Sequence, residues 1–430
     1  MATKRDKLIG WRMKKIALLF FIVLSARALN AQSLDKDRLE ALEERTADLE
    51  KDMAAARKVS ISGYFQMQYQ WGQKDASLKV GDKNHTDEAF NRIGIRRGRI
   101  KIAYREKIVS GEFEVNMTEK GLSLTDAYIV LKDPWVNSLQ LGGGVFNRPF
   151  GFEVAYSSSS LESLERSMVV QTLFPEERDL GGMVVLQAPA ESPWSIVKLE
   201  AGLFAGNGIK LETDNKRDFI GHLSVAKECG RHFSFGAGVS YYYGYVYQGT
   251  TKVYTMADDG FVLSDREANR GAFAMRRYVG FDARMSVKSA IGRSSLYAEY
   301  IFGRQPGTES GSMSPNSSKL PDSDTYLRDF GGGYVMFVHD IADTPVSVVL
   351  KYDWYDPNTR IAGNAIGANH TGKADIAMDR WGFGALWQIN KRVRVAAYYE
   401  LNRNETSASL DGMARDLKDN VFTFRLQYKF

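Results

Sequence analysis

ISGYFQMQYQW, residues 61–71, decides the fold. Ile61, Gly63, Phe65, Met67, Tyr69 and Trp71 make one apolar face, while Ser62, Gln66, Gln68 and Gln70 make the other polar. A period of two is that of a β-strand, whose successive side chains point to opposite sides of the sheet. The rhythm returns in Phe233, Phe235, Ala237, Val239, Tyr241, Tyr243 and Tyr245, opposed by Ser234, Gly236, Gly238 and Ser240. It recurs in Val279–Met285 against Asp282 and Arg284, and in Val346–Trp354 against Lys351 and Asp353.

Working outward, sixteen such segments can be marked, near 61–71, 92–105, 109–118, 124–132, 138–147, 181–188, 195–204, 218–227, 232–246, 276–286, 294–303, 330–339, 345–355, 379–389, 391–402 and 420–430. The fourth, sixth and twelfth alternate weakly. Connections such as 72–91, 148–180, 247–275 and 304–329 are long, and those between them are short, so the long and short ends fall on opposite rims. An even strand count, strands of about ten residues and one elaborated rim are what an outer-membrane barrel requires. The expectation is an all-β chain: a transmembrane antiparallel β-barrel of about 16 strands preceded by a short helix.

The ends of the chain fit that expectation. Lys14 and Lys15, the apolar run Ile16–Leu24 and the small residues after it read as a secretory signal over 1–31, cleaved after Ala31 or alternatively after Ala28. Residues 32–58 carry Leu39, Leu42, Leu49 and Met53 at helical spacing, which suits either a short periplasmic coiled coil or a solvated spacer. The barrel then occupies 59–430. Its last strand, Phe422 to Phe430, alternates apolar with polar and stops on an aromatic, resembling the terminal signal by which outer-membrane barrels are recognised for assembly.

Composition narrows the functional classes. A single Cys, Cys229, rules out a disulfide framework in an exported chain. Of the 57 Lys/Arg and 52 Asp/Glu residues, seven and one lie in the first 31, leaving 50 against 51, so no global field draws nucleic acid. The five His show no metal-ligand spacing, and no nucleophile elbow, P-loop or zinc-protease motif occurs. An enzyme is not expected, nor is a cofactor or metal.

Several strings taken together, FNRIGIRRGRIKIAYR (90–105), LTDAYI (124–129), GVFNRPFGFE (144–153), SSSLESLERS (158–167) and ERDLGG (177–182), resemble the porin O/P family of phosphate-selective outer-membrane porins. The resemblance covers 90–182 closely and the remainder only through strand pattern and Phe430. It implies a sixteen-stranded barrel, commonly a homotrimer, whose third extracellular loop folds into the lumen. Here that loop is 148–180, and a 33-residue connection between neighbouring strands is long enough to be functional on its own account. Arg148, Glu153, Arg166 and Arg178 are its candidate constriction residues, read as clamps on the wall more than as solute contacts.

On the second segment Arg97, Arg99, Lys101 and Arg105 share one face. Cations on the lipid face would cost about 2–4 kcal/mol each at mid-membrane, so they belong in the lumen. There they form either a ladder for anions such as phosphate or a wall neutralised by Glu112 and Glu114 of the next strand. The expected activity is passive diffusion of small hydrophilic solutes across the outer membrane, with an anion or phosphate preference. The alternative is a closed structural or adhesive barrel that meets an external partner through 247–275 and 304–329.

Overall fold

The computed structural model describes residues 58–430, together with Leu42, Glu44, Arg45, Thr46, Asp48 and Met53. The expected signal peptide 1–31 and most of the segment 32–58 lie outside the described residues. The six described positions of that segment are helical, and Thr46 Oγ1 donates to the Leu42 carbonyl at 2.7 Å.

The chain runs through strands β1 (Val59–Gln73), β2 (Ala89–Arg105), β3 (Val109–Thr118), β4 (Gly121–Lys132), β5 (Leu139–Asn147), β6 (Arg178–Gln187), β7 (Val197–Phe204), β8 (Asp218–Cys229) and β9 (Phe233–Tyr247). A small hairpin follows, β10 (Lys252–Ala257) and β11 (Gly260–Asp265). The series ends with β12 (Phe273–Ser289), β13 (Gly292–Gly307), β14 (Thr325–Ile341), β15 (Val346–Asp356), β16 (Met378–Gln388), β17 (Val393–Asn404) and β18 (Val421–Lys429). Neighbours in sequence pair antiparallel. β9 pairs directly with β12, from Tyr247↔Phe273 to Phe233↔Val287, which leaves the hairpin out of the wall. β18 pairs with β1 from Lys429↔Tyr64 to Val421↔Gly72, and β1 also pairs with β2. Sixteen strands therefore close into one antiparallel ring, and closure removes the edges that an open sheet would expose.

The burial pattern is inside-out. On β1, Phe65 and Met67 are each 40% exposed, whereas Gln66 and Gln68 are 0% and 1% exposed. Apolar groups facing outward and amides sealed inside invert the arrangement of a water-soluble protein, and they match a wall with lipid on one side and a polar bore on the other. Among the described residues no helix is long and apolar enough to cross a membrane.

The structure lengthens several of the expected strands, β12 to Phe273–Ser289, β13 to Gly307 and β14 from Thr325, so the connection expected at 304–329 is 308–324, and three further differences bear on the site. The sheet ladder continues through Phe146↔Asp179 and Asn147↔Arg178, so Arg178 and Asp179 begin β6 and the loop between β5 and β6 is 148–177. The register of β3 against β4 shifts between Glu114 and Val115. This bulge breaks the alternation at Leu124–Asp126 and accounts for the weak signal of the fourth segment. The connection 247–275, expected to be a plain loop, contains the β10–β11 hairpin, and β10 adds in parallel to the upper end of β14.

Nor is the whole bore polar. The 148–177 loop carries a short helix, α1 (Met168–Leu173). Phe150, Val154, Val169, Val170, Leu173 and Phe174 of the loop pack with Phe204, Ile220, Tyr242, Tyr278, Ile301, Phe330 and Tyr355 of β7–β9 and β12–β15. The same loop also bonds to β1, β2 and β18. One segment can touch strands on every side of a closed ring only from within it. Burying a large apolar side chain is worth about 1.5–3 kcal/mol, so the six loop residues hold their half of the bore filled.

Candidate functional site

The site is built where this apolar plug ends and the charged wall of β2 begins. Strand alternation brings Arg97, Arg99, Lys101 and Arg105 to one face, and each of the first three meets a carboxylate. Arg99 Nη1 donates to Glu114 at 3.0 Å and Lys101 Nζ to Glu112 at 3.1 Å, both acids coming from β3 through the register Arg99↔Asn116, Lys101↔Glu114. Arg97 is buried and donates to Gln66 at 3.1 Å and to Glu165 of the loop at 3.2 Å. Arg105 ends the strand, exposed beside the short turn into β3.

Glu165 is the node that sequence reasoning did not single out. Arg96 donates to both of its oxygens at 2.8 Å, the forked geometry that suits guanidinium and carboxylate, and Arg425 of β18 donates to it at 2.6 Å. Three guanidinium groups thus converge on one loop carboxylate. Strict alternation would send Arg96 and Arg97 to opposite faces. Both nevertheless reach Glu165, from the part of β2 that precedes the β2–β3 ladder at Arg99, where the Gly98 N–H is taken by the Asn116 side chain at 3.1 Å. The adjacent Arg-Arg pair was the available signal. Leu164, next to Glu165, has φ +63°, a conformation rare for a branched residue, and Arg425 also donates to its carbonyl at 2.8 Å.

The other loop residues act as fasteners. Arg166 spends its donors on the Glu153 carbonyl (3.0 Å), Ser158 Oγ (3.1 Å) and the Tyr156 carbonyl (2.6 Å), and it pairs with Glu177 at 2.8 Å. Arg178 takes both oxygens of Asp126 at 3.2 and 3.1 Å and Glu177 at 2.8 Å, tying β6 to β4. Arg148 is fully buried, lies over the Phe174 ring at 5.4 Å and donates to the Pro175 carbonyl at 3.0 Å. Glu153 receives Lys351 of β15 at 2.9 Å and the Ser167 N–H at 2.9 Å. Gly151 has φ +60°, and a side chain there would strike the Glu299 carboxylate, which receives the N–H of Phe152 at 3.3 Å and of Glu153 at 3.0 Å. Of these partners, Lys351 is readable in the sequence as a polar position on its strand, and nothing in the sequence singles out Glu299.

Electrostatics favour charge at these joints. Burial by itself would raise the Glu165 carboxyl, but Arg96, Arg97 and Arg425 outweigh it and hold the group well below the usual carboxylate range. Glu177, equally buried, is brought down to about 2 by Arg166 and Arg178.

The space left by the plug runs along β2–β8 towards the long loops and along β8, β9 and β12–β17 towards the short turns. A cavity of about 260 Å³ on the long-loop side is lined by Arg96, Arg97, Arg99, Arg166 and Arg178 against Glu165, Glu176 and Glu177. It shares Arg99 and Arg178 with a cavity of about 500 Å³, which shares Tyr156, Lys198, Glu200 and His222 with one of about 300 Å³. That third cavity shares Arg284 with a cavity of about 540 Å³ reaching Glu228, Arg293 and Asp340 at the short-turn rim. Neighbouring cavities in this set share lining residues, from the long-loop side to the short-turn side. The first has a surplus of arginine over carboxylate.

No family model matches the chain, and no curated protein matches it. Solved structures do. The high-pH structure of OprB from Pseudomonas putida aligns with a TM-score of 0.57 at 8% identity, covering 89% of this chain and 96% of that one. The outer-membrane channel DcaP of Acinetobacter baumannii aligns at 0.53 and 13% identity, covering 86% and 97%. OmpF of Salmonella typhi, solved with daunomycin, aligns at 0.52 and 11% identity, again covering 86% and 97%. At such identities the likeness is one of fold, and by fold the chain is an outer-membrane β-barrel.

Proposed function

We propose that this protein is a porin through which small hydrophilic solutes diffuse passively, with the 148–177 loop narrowing the bore and the β2 wall favouring anions. The observation that carries this reading is the set of cavities beside the loop that share lining residues with one another, with Arg96, Arg97, Arg99, Arg166 and Arg178 outnumbering the carboxylates in its long-loop member. Guanidinium groups remain charged in such a setting and can pass an anion between weak sites. Arg99 and Lys101, each with a partner on β3, moderate that surplus. Phosphate as the solute and membership of the porin O/P family rest on the resemblance at 90–182. A homotrimer is in keeping with Vibrio cholerae OmpT, whose trimer form aligns at a TM-score of 0.50 and 12% identity.

A second reading has one observation in its favour. Tyr254, Met256 and Phe261 of the hairpin pack with Tyr326, Ile361, Ile366, Ile376 and Met413 into a small apolar core among the long loops, a built surface that could serve an external partner. Planar-bilayer recording separates the two. Stepwise ohmic conductance supports the porin, and none from correctly folded protein supports the adhesive barrel. The reversal potential in a salt gradient tests the anion preference, and a cation-favouring value refutes it.

A further inference from the structure

Two arginines stand on the outer face of the wall. Alternation from the exposed Phe281 brings Arg277 of β12 outward, and alternation from Tyr300 and Phe302 does the same for Arg304 of β13. The register sets the two directly opposite one another, with Tyr243 of β9 on the other side of Arg277. Residues so placed have Cβ atoms about 5 Å apart, and like charges there destabilise a sheet. Asp329 of β14 holds Arg304 at 2.8 and 3.2 Å. Arg277 is exposed, and among the described residues its side chain has no hydrogen-bond or ion-pair partner. A third cation lies higher on the same face. Lys216 Nζ is 5.2 Å from the Phe273 ring and 5.6 Å from the Tyr245 ring, and among the described residues no acid pairs with it. Arg217 and Arg270 nearby are already matched by Glu212 and Glu267, so Arg277 and Lys216 remain uncompensated.

We propose that this patch binds the headgroup of an outer-leaflet lipid that carries two phosphates. Depth supports it first. Ten residues separate Arg277 from Val287 at the foot of the outward apolar run, a rise of roughly 25 Å at a tilt of about 40°, which is the height of a barrel's apolar band. Arg277 and Arg304 therefore stand at its upper edge, on the side of the long connections, which outer-membrane barrels turn outward from the cell. Rings mark the same level. Phe302 stacks with Phe281 at 6.4 Å and with Tyr300 at 5.6 Å just below the arginines, and the Tyr245 hydroxyl donates to that of Tyr243 at 3.0 Å beside them. The anions at such a depth are headgroup phosphates, and one seated between two guanidinium groups offsets their repulsion. An arginine that only reached up to water would need no second arginine across the ladder. Four residues part Phe273 from Arg277, about 13 Å along the strand, so Lys216 and the arginine pair are separate anchoring points and suit two phosphates on one headgroup.

The test titrates the full chain, in nonionic detergent and with folding checked by heat-shifted electrophoretic mobility, with diphosphoryl lipid A, its monophosphoryl form and its dephosphorylated form. Native mass spectrometry counts the bound lipid. Wild type should bind the diphosphoryl lipid most tightly and the dephosphorylated one least. Arg277→Gln should weaken the diphosphoryl complex about tenfold, the loss of one charge-assisted contact. Lys216→Gln should remove the preference for two phosphates over one. Asp329→Asn, which frees Arg304, should tighten binding, an effect of the opposite sign that poor folding does not imitate. Arg403→Gln is the control, since Arg403 is outward at the long-connection end of β17 with Asp379 directly across from it, and it should bind as wild type does. Equal binding of the three lipids by wild type overturns the proposal. So does wild-type affinity in Arg277→Gln, or an equal loss in Arg403→Gln.

Discussion

Replacing Glu165 by Gln separates the two tasks of the arginine node, holding the loop and charging the bore. The substitution keeps shape and removes one negative charge from among Arg96, Arg97 and Arg425, which lie 2.6–3.2 Å from it. Breaking a buried ion pair from one side costs about 3–5 kcal/mol because the remaining charges are left uncompensated. Burial of six apolar loop side chains at about 1.5–3 kcal/mol each exceeds that loss, so α1 should stay docked while Leu164–Arg166 loosens. The electrical effect follows from Coulomb's law. Removing a unit charge about 8 Å from a passing ion changes its energy by about 0.5 kcal/mol at water's permittivity and about 2 kcal/mol at a permittivity of 20. Screening over a Debye length of about 8 Å favours the lower end, a change of about two- to fivefold in the anion-to-cation permeability ratio. From a neutral starting point in a tenfold salt gradient, this moves the reversal potential by about 15–30 mV towards the anion limit, given about 59 mV per decade for a single charge. Single-channel recording of refolded protein reads it directly. An unmoved potential, or one displaced towards cations, would show that the node lies off the conduction path.

Lys351→Met leaves Glu153 buried beside Glu299 without its cation, and should lower the unfolding midpoint in heat-shift electrophoresis by a loss of about 3–5 kcal/mol; an unchanged midpoint would mean the pair is dispensable. Leu173→Ala opens a cavity beneath α1 worth about 2–5 kcal/mol and should raise both open-channel noise and conductance, which a quiet trace of wild-type size would contradict. Acid should act late. Glu165 and Glu177 have depressed values in the folded protein, so their contribution is complete above the unfolded carboxyl value of about 4.3 and is lost as pH falls through the folded value, about 2 for Glu177. Conductance should therefore hold steady from pH 8 to 5 and become noisy only below about 4; noise that starts near pH 6 would point to other groups.

The wall was legible because its physics is local. Alternation on β1 places Gln66, Gln68 and Gln70 on one side whatever surrounds them, and only closure was needed to make that side the interior. The partners Glu112 and Glu114 of the β2 cations could be read for the same reason, since adjacent strands bring their polar faces together. What could not be read depends on contacts far apart in the chain. Nothing near Glu165 points to Arg425, 260 residues away, nor anything near Glu153 to Lys351, 198 away. The hairpin in 247–275 escaped because its six-residue strands pack against other loops instead of against lipid or bore, so they carry no face contrast over a useful length.

The apolar plug changes how the arginines should be understood. A cylinder lined with cations and filled with water would leave each of them solvated and open to neutralisation by mobile ions. Here the loop fills part of the bore with Val169, Val170, Leu173 and Phe174, which leaves β2 facing a narrow space and lowers the permittivity at its border. The charges at that border then act at short range, and what a passing ion meets is the remainder after pairing. Arg166 and Arg178 share Glu177, Arg99 and Lys101 each meet an acid of β3, and the three groups on Glu165 leave the largest positive remainder of any joint described. On the proposed reading, the stoichiometry of the loop's attachments would set the ion preference, and a carboxylate on the loop would be the lever by which a single substitution retunes it.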